Sequence, residues 1–271
     1  MGLQVLVSTM GQYDYSLIDK MNIQSDVVVI NQSDENAEHI LEKDGKNIKW
    51  ISSTQRGLSR SRNMALENSK SEICLLADDD LEYLMDYEKT ILSQFELYEE
   101  ADIIAFQVEG IEGSFKQYSN KSYNVNYLTS MKISSVEVAF RLDSIKKNGL
   151  NFNELFGAGS KYFMGEENIF LMNCLKCGLK IRYVPIKIAN LHIGQSTWFK
   201  GFNKEYLLNR GAAFTAMSQR LSLFFIIQFA IRKIDLFDNE ITKCQAVKYM
   251  LEGKREYLKD KRKMHSNFIQ T

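Results

Sequence analysis

The chain has 271 residues, 45% of them hydrophobic and 25% charged, with 34 Lys plus Arg against 34 Asp plus Glu. That composition excludes disordered, collagen-like and low-complexity chains, and a net charge of zero argues against a nucleic-acid partner. Four cysteines are too few for a disulfide framework and fit a reducing compartment.

The balanced total conceals an asymmetry. Residues 1–199 hold 20 basic and 27 acidic side chains, whereas residues 200–271 hold 14 basic and 7 acidic. An acidic body with a basic tail suits an anionic surface or ligand near the C-terminus, or simply solvated Lys-rich helix faces.

In chain order, the N-terminus reads as a first strand, Val5 to Ser8, with no basic region or cleavage site of a signal peptide. Val27 to Asn31, Ile48 to Ser52 and Ile73 to Ala77 are further short apolar runs that predict buried strands. Between them Leu58, Arg62, Ala65 and Leu66 have helical spacing, as do Tyr87, Ile91, Phe95 and Tyr98 within Met85 to Glu99. This alternation predicts an α/β fold, a mostly parallel sheet flanked by helices, with ligands at the carboxyl ends of the strands.

Ile103 to Val108 and Val136 to Phe140 predict strands on either side of a Ser/Asn/Tyr-rich stretch, Ser114 to Asn126. Glu166 to Cys177 predicts a helix capped by Gly178, with both Cys174 and Cys177 in its apolar stripe as core residues. Ile181 to Pro185 and Ile188 to His192 read as two short strands, and the chain looks helical from Lys200. The simplest organisation is a catalytic domain over 1–199 and a helical, basic C-terminal extension over 200–271.

Chemistry concentrates in two places. Asp78-Asp79-Asp80 follows a buried strand directly, and three adjacent carboxylates repel one another unless a cation or solvent relieves them. Hard oxygen ligands at a strand end suit Mg²⁺ or Mn²⁺ bridging to a phosphate; a solvated acidic turn is the plain alternative. One helix earlier, Gly57 opens a segment carrying Arg56, Arg60 and Arg62, a setting that suits an oxyanion or merely a basic, exposed helix.

A strand ending in Asp78-Asp79-Asp80, preceded by Gly57-Leu58-Ser59 and Arg62-Asn63 on the incoming helix, resembles the family 2 glycosyltransferases of the GT-A fold. The resemblance runs from Val5 to about His192. It implies an inverting, metal-dependent transfer from a nucleotide-diphosphate sugar, with a UDP-sugar favoured, to a glycan or polyprenyl-linked acceptor. It places Ser8 and Thr9 at the nucleotide base. Asn31 stands where the family usually has an Asp that meets uracil, which leaves the nucleotide open.

By the same resemblance Asp78 and Asp80 serve the metal or the ribose, Asp79 the donor sugar, and Arg56 and Arg62 the diphosphate. Phe156-Gly157-Ala158-Gly159 resembles the acceptor-side loop. Gly165-Glu166-Glu167 resembles the motif that opens the base-bearing helix, with Glu167 in the place of the base and Glu166 as the alternative. His192 corresponds to a late histidine near the metal or diphosphate, and nearby Trp198 suits stacking on a sugar face, or a core position.

In the tail, Leu221 to Ile231 is apolar except for Ser222 and Gln228, and Arg232 and Lys233 follow it. Eleven residues cannot span a bilayer, which takes about 20. They suit an interfacial helix on an anionic membrane, a helix packed on the catalytic domain, or a homodimer contact. The expected compartment is the cytoplasm, with peripheral attachment to the inner face of the cytoplasmic membrane as a second option. The short, single-domain build suggests bacterial surface-polysaccharide assembly. Two other classes stay open: a nucleotidyltransferase on a sugar phosphate, whose Gly-rich basic loop Ser8 to Gln12 does not offer, and a non-catalytic sugar- or nucleotide-binding module.

Overall fold

Strand β1 (Leu3–Met10) lies inside the sheet, between β2 (Asp26–Gln32) and β5 (Ile73–Asp78), parallel to both. Its side chains alternate: Val5 and Val7 enter one core layer with Val27 and Val29, and Leu6 enters the opposite layer with Val28 and Ile30. A strand buried on both faces reads as a continuous apolar run, which is why these strands were visible in the sequence. In this computed structural model residues 1–194, 201–233, 236–237 and 241–268 are described.

The sheet continues outward from β2 through β4 (Lys46–Ser53) to β3 (Ala37–Lys43). On the other side β5 pairs with β9 (Val138–Arg141), then β7 (Ile103–Gly110), β10 (Ile181–Leu191) and β6 (Leu81–Tyr83), with β8 (Tyr123–Asn124) also on β10. The ten strands are mixed: β3, β6, β8 and β9 run antiparallel to their neighbours. Helices α2 (Leu58–Asn68) and α5 (Glu166–Lys176) contribute to one core layer; α1 (Ser16–Lys20) and α3 (Tyr87–Leu97) contribute to the other. A short α4 (Leu142–Lys147) follows β9. The architecture is the α/β fold that the sequence predicts.

Several local expectations change. Edge strand β3 is unforeseen, although Asp44-Gly45 between β3 and β4 is a hairpin signal; both residues have positive φ (51° and 76°), as a two-residue turn of this hand requires. The two strands expected at 181–192 are one, with register shifts between Tyr183 and Ala189 and the chain's one proline, Pro185, in the irregular part. Proline has no N–H for the ladder, so the strand is interrupted rather than ended. The strand expected at Val136 starts at Val138, because Ser134 and Glu137 close a capping box that coils residues 135–137. Cys174 is buried, but Cys177 sits at the helix C-cap and is exposed, a correction to its core reading.

Beyond residue 200, α6 (Lys204–Met217), α7 (Ser222–Arg232) and α8 (Lys243–Phe268) form a third core with Phe156, Tyr162, Met164, Ile169 and Met172. Helices α6 and α8 approach so closely that a Cβ on Gly211 would stand 1.9 Å from the Met250 carbonyl oxygen, and one on Gly253 would stand 1.9 Å from that of Leu208. Among the described residues no helix is long and apolar enough to cross a membrane.

Candidate active site

The parallel strands β1, β2, β4 and β5 deliver their carboxyl ends, Met10, Gln32, Ser53 and Asp78, to one edge of the sheet. Two depressions open there. One, about 710 Å³, is lined by Gly11 to Tyr15, Asn31 to Glu35, His39, Trp50 and Arg56. The other, about 390 Å³, is lined by Arg62, Asp78, Asp80, Phe115, Ser135, Glu166 and Glu167 among others.

The second cleft joins the two acidic motifs through one side chain. Arg62, on the inner face of α2, is 1% exposed. Its Nη2 donates to Asp78 Oδ1 at 2.9 Å and to Ser135 Oγ at 2.8 Å, and its Nη1 donates to Glu166 Oε1 at 3.0 Å. Burial opposes the charge, but Asp78 and Glu166 outweigh it and hold the guanidinium above its ordinary pKa. The resemblance puts Arg62 at the diphosphate; in the structure its donors are engaged by Asp78, Ser135 and Glu166 and bridge the donor-side strand end and the base-bearing helix.

The start of α2 is likewise occupied. Gly57 N donates to Gln32 Oε1 at 2.8 Å and Leu58 N donates to the Ala158 carbonyl at 2.9 Å. Helix N-terminal amides attract anions only while unpaired; here the Gly57 amide is taken by the Gln32 side chain and the Leu58 amide by the 156–159 loop. Gly159 lies against Gly57: a Cβ on Gly159 would stand 3.4 Å from the Gly57 Cα. Gly157 has φ 101°, and a Cβ there would meet Glu166 Cγ at 3.3 Å, so glycine leaves room for the buried carboxylate.

Glu166 and Glu167 part company. Glu166 is 6% exposed and paired with Arg62. Glu167 is half-buried, lines the cleft, and is raised above the ordinary carboxylate range, first by lost hydration and then by the charge of Glu166. A carboxyl pushed toward neutral pH beside a cleft is matched to proton transfer.

The acidic strand end divides in the same way. Asp78 is bonded to Arg62 and Asp79 accepts from Thr9 Oγ1. Asp80 makes no ion pair among the described residues; lost hydration, then Asp78 and Asp79, raise it to about 6. Its side chain keeps solvent access, so repulsion and crowding at the cleft mouth describe it better than deep burial. Among the described residues no group of three His, Cys, Asp or Glu forms a ready-made metal centre. Mg²⁺ and Mn²⁺ sites of the phosphate-bridging kind need only one or two carboxylates, completed by phosphate and water, and the unpaired Asp80 beside Asp78 fits that donor set.

The remaining predicted residues are placed as follows. His192 N donates to the Asp80 carbonyl at 2.9 Å, which sets the two residues side by side, while its imidazole lies 3.1 Å from Glu112 and 3.7 Å from Glu82. Ser8 is buried, its hydroxyl has no hydrogen-bond partner among the described residues, and it does not line the larger depression. Asn31 does line it, but it is 1% exposed: its Oδ1 accepts from Gln12 N at 3.0 Å and its Nδ2 donates to Gln12 O at 2.9 Å. The amide thus fixes the turn after β1. Arg56 reaches the same depression and pairs with Asp34 at 2.7 Å. Trp198 lies outside the described residues.

Sequence reasoning missed Gln12, Tyr15, His39 and Trp50 around the larger depression, where Tyr15 hydrogen-bonds His39 and meets Trp50 edge-on at 5.1 Å. The rule that ligands sit at strand carboxyl ends pointed to the place; nothing local marked these aromatics. Ser135 of the acidic cleft carries no local signal, and Phe115 lies in the Ser/Asn/Tyr-rich stretch Ser114 to Asn126 with nothing to mark it individually.

Residues 16–161 match the sequence profile described as Glycosyl transferase family 2. In solved structures the fold is similar to S. aureus TarS residues 1–349 in complex with UDP, at 15% identity and a TM-score of 0.62, covering 89% of this chain and 76% of that one. The same fragment with UDP-GlcNAc gives 14% identity and 0.57 over 89% and 74%, and S. aureus TarS itself gives 15% and 0.60 over 88% and 44%. No curated protein matches the chain in sequence. With the profile covering more than half of its length, the chain belongs to glycosyl transferase family 2.

Proposed function

We propose that the protein is an inverting glycosyltransferase that moves a sugar from a nucleotide-diphosphate donor to a hydroxyl of a glycan or polyprenyl-linked acceptor. The observation that carries this reading is the meeting, in one cleft, of a strand-end carboxylate with no ion pair among the described residues, Asp80, and a carboxyl of raised basicity, Glu167. The nucleotide occupies the larger depression, with Arg56 at its edge. UDP is the favoured nucleotide, a choice supported by the TarS structures that hold UDP and UDP-GlcNAc.

Glu167 takes the proton of the acceptor hydroxyl as its oxygen forms a bond to the anomeric carbon. The bond from that carbon to the diphosphate oxygen breaks, and its electron pair leaves with the nucleoside diphosphate. Attack from the face opposite the leaving group inverts the carbon, as in single-displacement glycoside chemistry. Asp80, with Asp78, would hold Mg²⁺ or Mn²⁺, which supplies charge neutralisation for the leaving diphosphate. The 156–159 loop, pinned to α2, positions the acceptor, and positioning alone supplies a large share of such a rate. Bacterial surface-polysaccharide assembly is the setting we favour.

Calorimetric titration with UDP, GDP, CDP and dTDP, with and without Mn²⁺, tests the reading on wild type and Asp80→Ala. Metal-dependent binding of one nucleotide, lost in the variant, is the expected result. Folded protein that binds none of them would overturn it.

A further inference from the structure

Helix α7 has no role in the transfer chemistry, and its surface is unusual. A surface helix ordinarily turns polar residues outward. In α7 Phe225, Ile226 and Ala230 are buried in the third core, yet the outward side is apolar too. Leu221 at its N-cap, then Leu223, Phe224, Ile227 and Ile231, are between 50% and 59% exposed. Phe224, Ile227 and Ile231 follow at i, i+3 and i+7 and form one row.

Cations flank α7 at both ends, and more lie on the neighbouring α8. Exposed Arg220 precedes the helix, Arg232 ends it and Lys233 follows, and α7 contains no acidic residue. Lys254 Nζ donates to Ser222 Oγ at 2.7 Å and so fastens α8 beside the start of α7. On α8, Lys248, Arg255, Lys259 and Arg262 are exposed and recur at i, i+7, i+11 and i+14 along one face, which also carries Glu252 and has exposed Glu256 at its edge.

We propose that the outward face of α7 and the basic row of α8 form a docking surface for an anionic lipid leaflet. An apolar row about 10 Å long can sink into the acyl boundary while the flanking cations meet headgroup phosphates. Charge complementarity selects lipid over a second copy of the chain. A two-fold contact through this patch would set the same cations against one another, which opposes association.

The surface is also tied to the cleft. Six residues beyond Lys254, or about 9 Å along the helix, Asp260 accepts from Lys161 Nζ at 2.7 Å and from the Tyr162 hydroxyl at 2.6 Å. Tyr257 packs edge-on against Phe156 at 5.4 Å between ring centroids. One helix therefore positions both the lipid surface and the acceptor-side loop, which suits an acceptor whose lipid stays in the leaflet. That last link rests on the transferase reading; the lipid surface does not.

Co-sedimentation of the full chain with phosphatidylcholine vesicles, and with vesicles containing phosphatidylglycerol, tests the proposal at low and high salt. Binding should require phosphatidylglycerol and weaken with salt. Phe224→Asp with Ile227→Asp, both already hydrated, should lower the partition coefficient about tenfold or more, and Arg255→Glu with Lys259→Glu should do the same. Melting followed by circular dichroism checks that each pair folds, and the salt dependence of wild type stands if one does not. No binding, equal binding to neutral vesicles, or unchanged binding by folded variants would overturn the proposal. A wild-type dimer that Phe224→Asp with Ile227→Asp makes monomeric, without vesicle binding, would overturn it in favour of a second copy. Vesicle binding by protein that binds no nucleotide would overturn the transferase reading alone.

Discussion

Arg62 and Glu166 are 104 positions apart in the chain and 3.0 Å apart in space, and the guanidinium that holds Glu166 also holds Asp78. The pair fixes the distance between the two acidic halves of the cleft. It also determines which glutamate of Glu166-Glu167 remains available for chemistry.

Removing Arg62 should be costly. Arg62→Met leaves a buried Glu166 and a partly buried Asp78 without their cation, and breaking a buried pair from one side costs about 3–5 kcal/mol. Arg62→Lys keeps the charge but lacks the fork that spans both carboxylates, so it should fall between. Urea denaturation reads both, and an unchanged midpoint for Arg62→Met would mean that the pairs contribute nothing to stability.

The two glutamates should separate by phenotype. Glu167→Gln removes the base and should lower turnover by about 10²–10⁴-fold while leaving nucleotide affinity unchanged. Glu166→Gln should instead lower the melting temperature. Because Glu167 is raised and must be ionised to act, the acidic limb of kcat/KM should lie above the ordinary carboxylate range, with activity lost as pH falls through it. An acidic limb at an ordinary carboxylate pKa would rule out Glu167 as the base.

Asp80 makes a prediction with a definite sign. Its pKa is raised to about 6, so the ionised form is disfavoured in the folded protein and costs stability above that pH. Asp80→Asn should therefore raise the melting temperature at neutral pH in the absence of divalent cation. In wild type, Mn²⁺-dependent nucleotide binding should weaken as pH falls through about 6, when the carboxylate takes up its proton. A pH-independent affinity between 5 and 8, read by calorimetry, would exclude Asp80 as the ligand.

The crossing of α6 and α8 should tolerate no added methyl group. Gly211→Ala or Gly253→Ala places a Cβ 1.9 Å from a backbone carbonyl oxygen of the facing helix, so one helix must move. The helix-propensity gain of about 1 kcal/mol is smaller than the overpacking cost, typically about 1–3 kcal/mol. Lower melting temperatures are expected for both, and a rise in either would show that the helices can separate freely.

Much of the fold was legible because its signals are local. Val5 to Ser8, Val27 to Asn31 and Ile73 to Ala77 lie within strands buried on both faces, which must be apolar nearly throughout, and Ile48 to Ser52 lies within β4, where Ile48 and Trp50 are buried and Lys49 between them is not. Edge strand β3 carries no apolar signature because Ala37 to Lys43 is mostly polar, as an exposed edge permits, and only the Asp44-Gly45 turn marks it. The bulge around Pro185 split one strand into two on paper because a broken period looks like an end.

The sequence by itself determined the fold class, the family, and the two acidic motifs, because each is written in adjacent residues: a strand that ends in three aspartates, and a glycine that opens a helix with two glutamates. Only the tertiary structure decided how those motifs divide their labour. The resemblance puts Arg62 at the diphosphate, and the packing of α2 buries it between Asp78 and Glu166. Asn31 reads as a base contact until the turn at Gln12 takes both ends of its amide. A charge or a hydrogen-bonding group acquires its role from what lies within a few ångströms, and here the partners come from segments tens of residues away.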